Sequence, residues 1–137
     1  MTNPTPYLIF QGNCREAMAT YAEIFGGRIE MMLTAAEMPG FDAPPDKADW
    51  IMHSMIGFGG GQLMGSDDIM GGNGAMAGCS VMMTLPTTAA AHAAFEALAE
   101  GGTPVMPFGP TQWATGFGLL TDRFGTSWMI SGPDGEA

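Results

Sequence analysis

GFGLLTDRFGTSWMIS, residues 116–131, carries two apolar runs on either side of Asp122-Arg123-Phe124-Gly125. An aspartate at the start of such a stretch can bond its own backbone, and a glycine at its end supplies the positive φ that closes a tight turn. The spacing predicts a β-hairpin, in which Asp122 and Arg123 serve the turn rather than any chemistry.

Upstream of the hairpin the same order of events occurs twice. Tyr7 to Gln11 is a short apolar run that stops at Gly12, and Asn13-Cys14-Arg15-Glu16 follows with the spacing of a capping box. A helix is expected from Asn13, with Ala17, Met18, Tyr21, Ile24 and Phe25 at helical spacing until Gly26-Gly27 ends it. Arg28 to Thr34 reads as a second strand, and Glu37 to Asp49, with three prolines, as a long surface loop. Trp50 to Ile56 is a third strand, apolar on both parities and therefore expected to be covered on both faces. Gly57-Phe58-Gly59-Gly60-Gly61 turns into a fourth strand at Gln62 to Ser66. It is a hairpin turn and not a nucleotide loop, because a phosphate-binding glycine loop must open a helix.

The glycine-rich residues 68–78 read as a linker between a first module, about 5–67, and a second, 79–133. The second begins with a strand at Ser80 to Leu85, a threonine cap near Thr87-Thr88 and a helix bearing Ala91, Phe95 and Leu98. Gly101-Gly102 stops that helix roughly 75 residues after the first glycine pair. Pro104 to Phe108, Thr115 to Leu120 and Thr126 to Ser131 complete it. The pattern is two βαβββ modules in an α+β chain of one domain.

The chain has 137 residues and a net charge of −10, which repels phosphate backbones and anionic lipid heads. Neither nucleic acid nor a membrane surface is an expected partner. No apolar run reaches the 18 residues of a membrane span, and the opening Met-Thr-Asn-Pro-Thr-Pro has no leader pattern, so a cytoplasmic protein is expected. Cys14 and Cys79 match no metal or disulfide pattern and are expected to be buried thiols without chemistry. Fourteen methionines are read as filler for an irregular apolar interior.

YLIFQGNCREAMATYAEIFGG at 7–27, MHSMIGFGGGQLMGSD at 52–67 and the closing hairpin resemble the PhnB-like branch of the vicinal oxygen chelate superfamily, also called the glyoxalase/bleomycin-resistance/dioxygenase superfamily. The resemblance implies a curved mixed sheet around a cavity, helices on the outer face, and a homodimer. Many relatives hold a divalent ion with one side chain each from the first and fourth strands of both modules. The corresponding positions here are Pro6, Leu63, Ser80 and Met129, with Tyr7, Met64, Val81 and Trp128 beside them and Gln62 within reach. None of the four is a usual donor, so no metal and no cofactor is expected. The same mapping turns Leu8, Phe10, Leu63, Ser80, Met82, Thr84, Ser127 and Met129 toward the cavity, and Ile9, Val81, Met83, Trp128 and Ile130 toward the helices.

His53 is the one titratable residue in a strongly apolar strand, suited by its ordinary pKa to acid or base work, although a strand histidine is more often a wall residue than a catalyst. His92 reads as a helix-surface residue. Trp113 offers a flat contact and one donor, over a ligand or as a staple between loop and core. The expected function is binding of a small, mainly apolar, neutral or cationic molecule in a metal-free cavity lined by Phe10, His53, Leu63, Met82, Trp113 and Met129. Arg15, Arg28, Lys47 and Arg123 are expected to point elsewhere. The competing class is a metal-dependent lyase, isomerase or dioxygenase of the glyoxalase type. A methyltransferase is disfavoured because no strand, glycine loop and helix unit exists to hold its cofactor.

Overall fold

The computed structural model describes residues 2–135. Its elements are β1 (Tyr7–Phe10), α1 (Cys14–Phe25), β2 (Arg28–Thr34), β3 (Ile51–Gly57), β4 (Gln62–Asp67), β5 (Val81–Thr84), α2 (Thr88–Ala99), β6 (Thr103–Gly109), β7 (Phe117–Thr121) and β8 (Ser127–Ser131). The chain divides into two compact units, the first ending at Met76 and the second beginning at Ala77. Each unit is a βαβββ module with a four-stranded mixed sheet, in the order β1-β4-β3-β2 and β5-β8-β7-β6. In both, the first strand lies parallel to the last and the other neighbours are antiparallel. No helix among the described residues is long and apolar enough to cross a membrane.

In the first unit, α1 packs on β2, β3 and β4. Its start differs from a capping box. Asn13 makes no side-chain cap bond, because its backbone (φ −113°, ψ 18°) lacks the extended geometry that aims an N-cap side chain inward. The cap comes instead from Asp67 at the end of β4, whose Oδ1 accepts from the amides of Gly12 at 2.9 Å and Cys14 at 3.0 Å. Its Oδ2 accepts from the amide of Ile51 at 2.8 Å, so one carboxylate ties the helix start to the entry of β3. Burial in β3 alternates, with Ser54 and Ile56 buried and His53 and Met55 half-buried. The strand is thus covered on one face within its unit, where its apolar run implied two.

The loop before β3 contains one 3-10 turn, Pro45–Lys47, which the proline count had not implied. Thr34 donates through its amide and its hydroxyl to Glu37 Oε1, which holds that carboxyl below the usual range. Beyond β4, the first residues of the expected linker are fastened to the first unit. Asn73 donates its backbone and side-chain nitrogens to the Asp68 carboxylate at 3.0 and 2.8 Å, and these bonds lower the Asp68 pKa.

In the second unit, the Thr87 hydroxyl accepts from the amide of Ala90 and caps α2, which packs on β6, β7 and β8. Phe95 and Leu98 of α2 lie buried with Leu120, Trp128 and Ile130 of the sheet. Gly118 is required there, since a Cβ at that position would stand 2.6 Å from the Phe95 ring. The hairpin of residues 117–131 forms with Thr121 opposite Ser127 and Gly125 at φ +95°.

Candidate functional site

Register neighbours in a sheet present their side chains on the same face, and alternation sends the next pair to the other. In the first sheet the helix-covered face carries Phe10, whose ring lies 6.4 Å from that of Tyr21 in α1. It also carries Ser54, 3.5 Å from the Cys14 sulfur, and the register pair Ile56 and Leu63. Phe10 and Leu63, expected in the cavity, are therefore core residues beneath α1, and Leu8 shares their parity. Ile9, expected toward the helix, has the opposite parity. The run Tyr7 to Phe10 is apolar on both parities, so pattern did not choose the face; packing does. Gly65 leaves the space beneath α1 that the Phe10 ring fills, and a Cβ there would meet that ring at 3.2 Å. A one-residue slip in this mapping inverts every assignment in the strand.

The open face of the first sheet carries a row of register neighbours across all four strands: Tyr7 with Met64, Met64 with Met55, and Met55 with Met31. The second sheet repeats the row: Met82 with Met129, Met129 with Leu119, and Leu119 with Met106. Met82 and Met129, expected at a cavity, lie on the face opposite the buried Trp128 and Ile130. Ser80 and Ser127 meet through their hydroxyls at 2.6 Å. Trp113, 58% exposed, stands edge-on to Phe117 with centroids 5.5 Å apart. These rows escaped the sequence reading, although Tyr7 and Met82, like Met31 and Met106, share the roughly 75-residue spacing of the glycine pairs.

One polar pair interrupts the first row. Tyr7 Oη lies 3.0 Å from His53 Nδ1, with the two rings 5.7 Å apart and inclined by 20°. His53 is in register with Leu33, and Tyr7 is 43% exposed. The Gln62 amide donates to the Met55 sulfur at 3.2 Å. His92 lies on the surface of α2, stacked on Phe108 and 3.2 Å from Glu96.

Of the cations, Lys47 sits over the Trp50 ring at 4.8 Å and Arg123 over the Phe124 ring at 4.3 Å. Arg28 departs from expectation: it is in register with Gly57 and so shares the open-face parity at the rim of the first sheet. A side chain at Gly57 would run into the Glu30 carboxylate, so that rim bears both signs of charge.

Metal donors are few on these faces. Among the described residues no group of three or more His, Cys, Asp or Glu side chains could hold an ion. On the open faces the first and fourth strands present Tyr7, Met64, Met82 and Met129, with Gln62 and His53 beside them. One imidazole, one amide and soft thioethers do not fit the N and O donor set of a glyoxalase-type divalent ion. The buried carboxylates Asp67 and Asp122 are engaged by backbone and indole N–H groups.

The two cysteines differ. Cys14 is buried and its thiol is pushed up to about 12, chiefly by burial, whereas Cys79 is exposed, against expectation, because it precedes β5 in the glycine-rich stretch. A thiol reagent is expected to label the folded protein once, at Cys79, and a second time after denaturation. Native labelling that persists in Cys79→Ser would contradict this.

Residues 2–131 match the family model described as 3-demethylubiquinone-9 3-methyltransferase. The chain is similar to Protein YjdN of Escherichia coli (strain K12), at 32% identity over 138 residues, with 93% of this chain and 92% of that protein covered. Among solved structures it is similar to protein PA1353 from Pseudomonas aeruginosa, at 42% identity and a TM-score of 0.90, with 97% of this chain and 98% of that chain covered. It shares the fold of a glyoxylase/bleomycin resistance protein/dioxygenase domain from Frankia sp. EAN1pec, at 11% identity and a TM-score of 0.67, with 97% and 93% covered.

Proposed function

The chain belongs to the 3-demethylubiquinone-9 3-methyltransferase family, the PhnB-like branch of the glyoxalase/bleomycin-resistance superfamily, and from that premise we propose that it is a homodimeric small-molecule binding protein whose mainly apolar ligand rests, without a metal, on the open sheet faces. The observation that carries the reading is the repeated row. In each unit four register neighbours, three of them methionine in both sheets, cross every strand on the face that the helix leaves free. Burying such surface is favourable by roughly 25 cal/mol per Å², and flexible thioethers mould to irregular shapes. The methyltransferase activity in the family's description finds no support in the glycine-rich residues 57–61. They close the hairpin between β3 and β4, with the Phe58 amide bonded to the Gly61 carbonyl, and open no helix for a cofactor.

Thermal melts and Trp fluorescence across a mixed library test this. Apolar neutral or cationic compounds are expected to give the largest shifts, and Met64→Glu and Met129→Glu to abolish them by placing an unpaired charge on each row. Nickel, zinc, manganese and iron are expected to leave the melt unchanged, whereas a site at 100 times its Kd would add about 2.7 kcal/mol. A reproducible rise with one metal together with stoichiometric metal by elemental analysis would favour the lyase, isomerase or dioxygenase class instead.

A further inference from the structure

The rows of the two sheets differ at two positions: Met55 of the first corresponds to Leu119 of the second, one apolar side chain for another, and Tyr7 stands where the second has Met82, the only polar group in either row. Resting on the reading of the open face as a binding surface, we propose that Tyr7 and His53 form its polar anchor, which selects neutral ligands carrying an oxygen acceptor, a carbonyl above all. In one tautomer the phenol donates to Nδ1 and the imidazole Nε2–H is left over; in the other Nδ1–H donates to the phenol oxygen and the Tyr7 O–H is left over. Each tautomer leaves one donor without a use in the pair, and Nε2 has no partner among the described residues. A donor that is desolvated by an apolar occupant without a matching acceptor costs free energy, so the occupant must supply one.

Charge narrows the class further. A carboxylate or phosphate placed here would need a dedicated cation, and Arg28 at the rim shares its surroundings with the Glu30 carboxylate. With a chain net charge of −10, the favoured acceptor is a neutral oxygen.

Two probes of nearly equal size separate the anchor from the apolar row: ethylbenzene and acetophenone, titrated into the full-length protein and followed by NMR. Acetophenone is expected to bind roughly threefold to tenfold more tightly, the range of one neutral hydrogen bond. Tyr7→Phe and His53→Leu should each keep part of that preference, because each leaves one donor behind. The double variant should lose it while ethylbenzene binds as before, which also reports an intact face. Equal affinities in the native protein, or an undiminished preference in the double variant, would overturn the anchor and leave the apolar reading standing. Tighter binding of benzoate than of acetophenone would overturn the neutral class. If neither aromatic probe binds, the open-face reading fails and the anchor with it.

Discussion

Asp122→Ala is expected to lower the melting temperature by roughly 10 °C, the larger of two such effects in this chain. Asp122 Oδ1 accepts from the amides of Phe124 at 2.9 Å and Thr126 at 3.0 Å, and Oδ2 accepts from the Trp128 indole at 2.9 Å. Asp122, Thr126 and Trp128 are all buried. Alanine would strand these donors, each at about 1–3 kcal/mol when water cannot reach it, for a total of about 3 kcal/mol or more. The effect should concentrate in the second unit, since the same carboxylate shapes the hairpin turn and fixes the largest buried ring of its core. Asp122→Asn keeps one acceptor oxygen and is expected to fall between the two. Thermal unfolding by circular dichroism, with Trp fluorescence as a second probe, measures both variants. A melt of the alanine variant within 2 °C of native would refute the assignment.

That turn was legible because aspartate and glycine at fixed offsets have few other uses, and both perform the roles their chemistry implies. The order of strands and helices was legible for a similar reason: Gly26 and Gly101 adopt positive φ just past the two helices and divide the pattern. The facing of β1 was not. Tyr7, Leu8, Ile9 and Phe10 are all apolar enough to be buried, so period-2 alternation gave no direction, and the choice rests on Phe10 reaching Tyr21 over Gly65. Such a contact joins three elements distant in sequence, and local pattern does not report it. Phe10 and Leu63 left the candidate site on this account, and Tyr7 entered it.

His53, expected at a cavity wall, shares the open-face parity of Met55, and its partner was invisible for the same reason. A tyrosine 46 positions away becomes its neighbour through the parallel pairing of β1 with β4 and the antiparallel pairing of β4 with β3. The helix cap failed in the opposite sense. Asn13 and Glu16 carry the local signature of a capping box, while the operative acceptor lies on β4, where an aspartate at a strand end announces nothing.

Asp67→Ala is the second large expected effect, and it should differ from the first in where the damage appears. The Asp67 carboxylate is buried, accepts from three amides, and stands at the positive end of α1. Removing it leaves Gly12, Cys14 and Ile51 with unpaired N–H groups and costs about 3 kcal/mol, a large share of a typical stability of about 5–15 kcal/mol. Because the Cys14 amide opens the helix and the Gly12 amide lies just before its N-cap, the loss should appear first as fraying of its opening turn. Cys14 sits in that turn, so in a Cys79→Ser background the variant should become reactive toward thiol reagents below its melting temperature, while the parent stays protected. Amide exchange at Cys14 to Ala17 should accelerate in parallel, with exchange in the second unit unchanged. Asp67→Asn, which retains one acceptor, should restore part of the protection. A variant that melts lower yet keeps Cys14 unreactive and its amides slow would place the role of Asp67 at the Ile51 amide and the entry of β3, away from the helix.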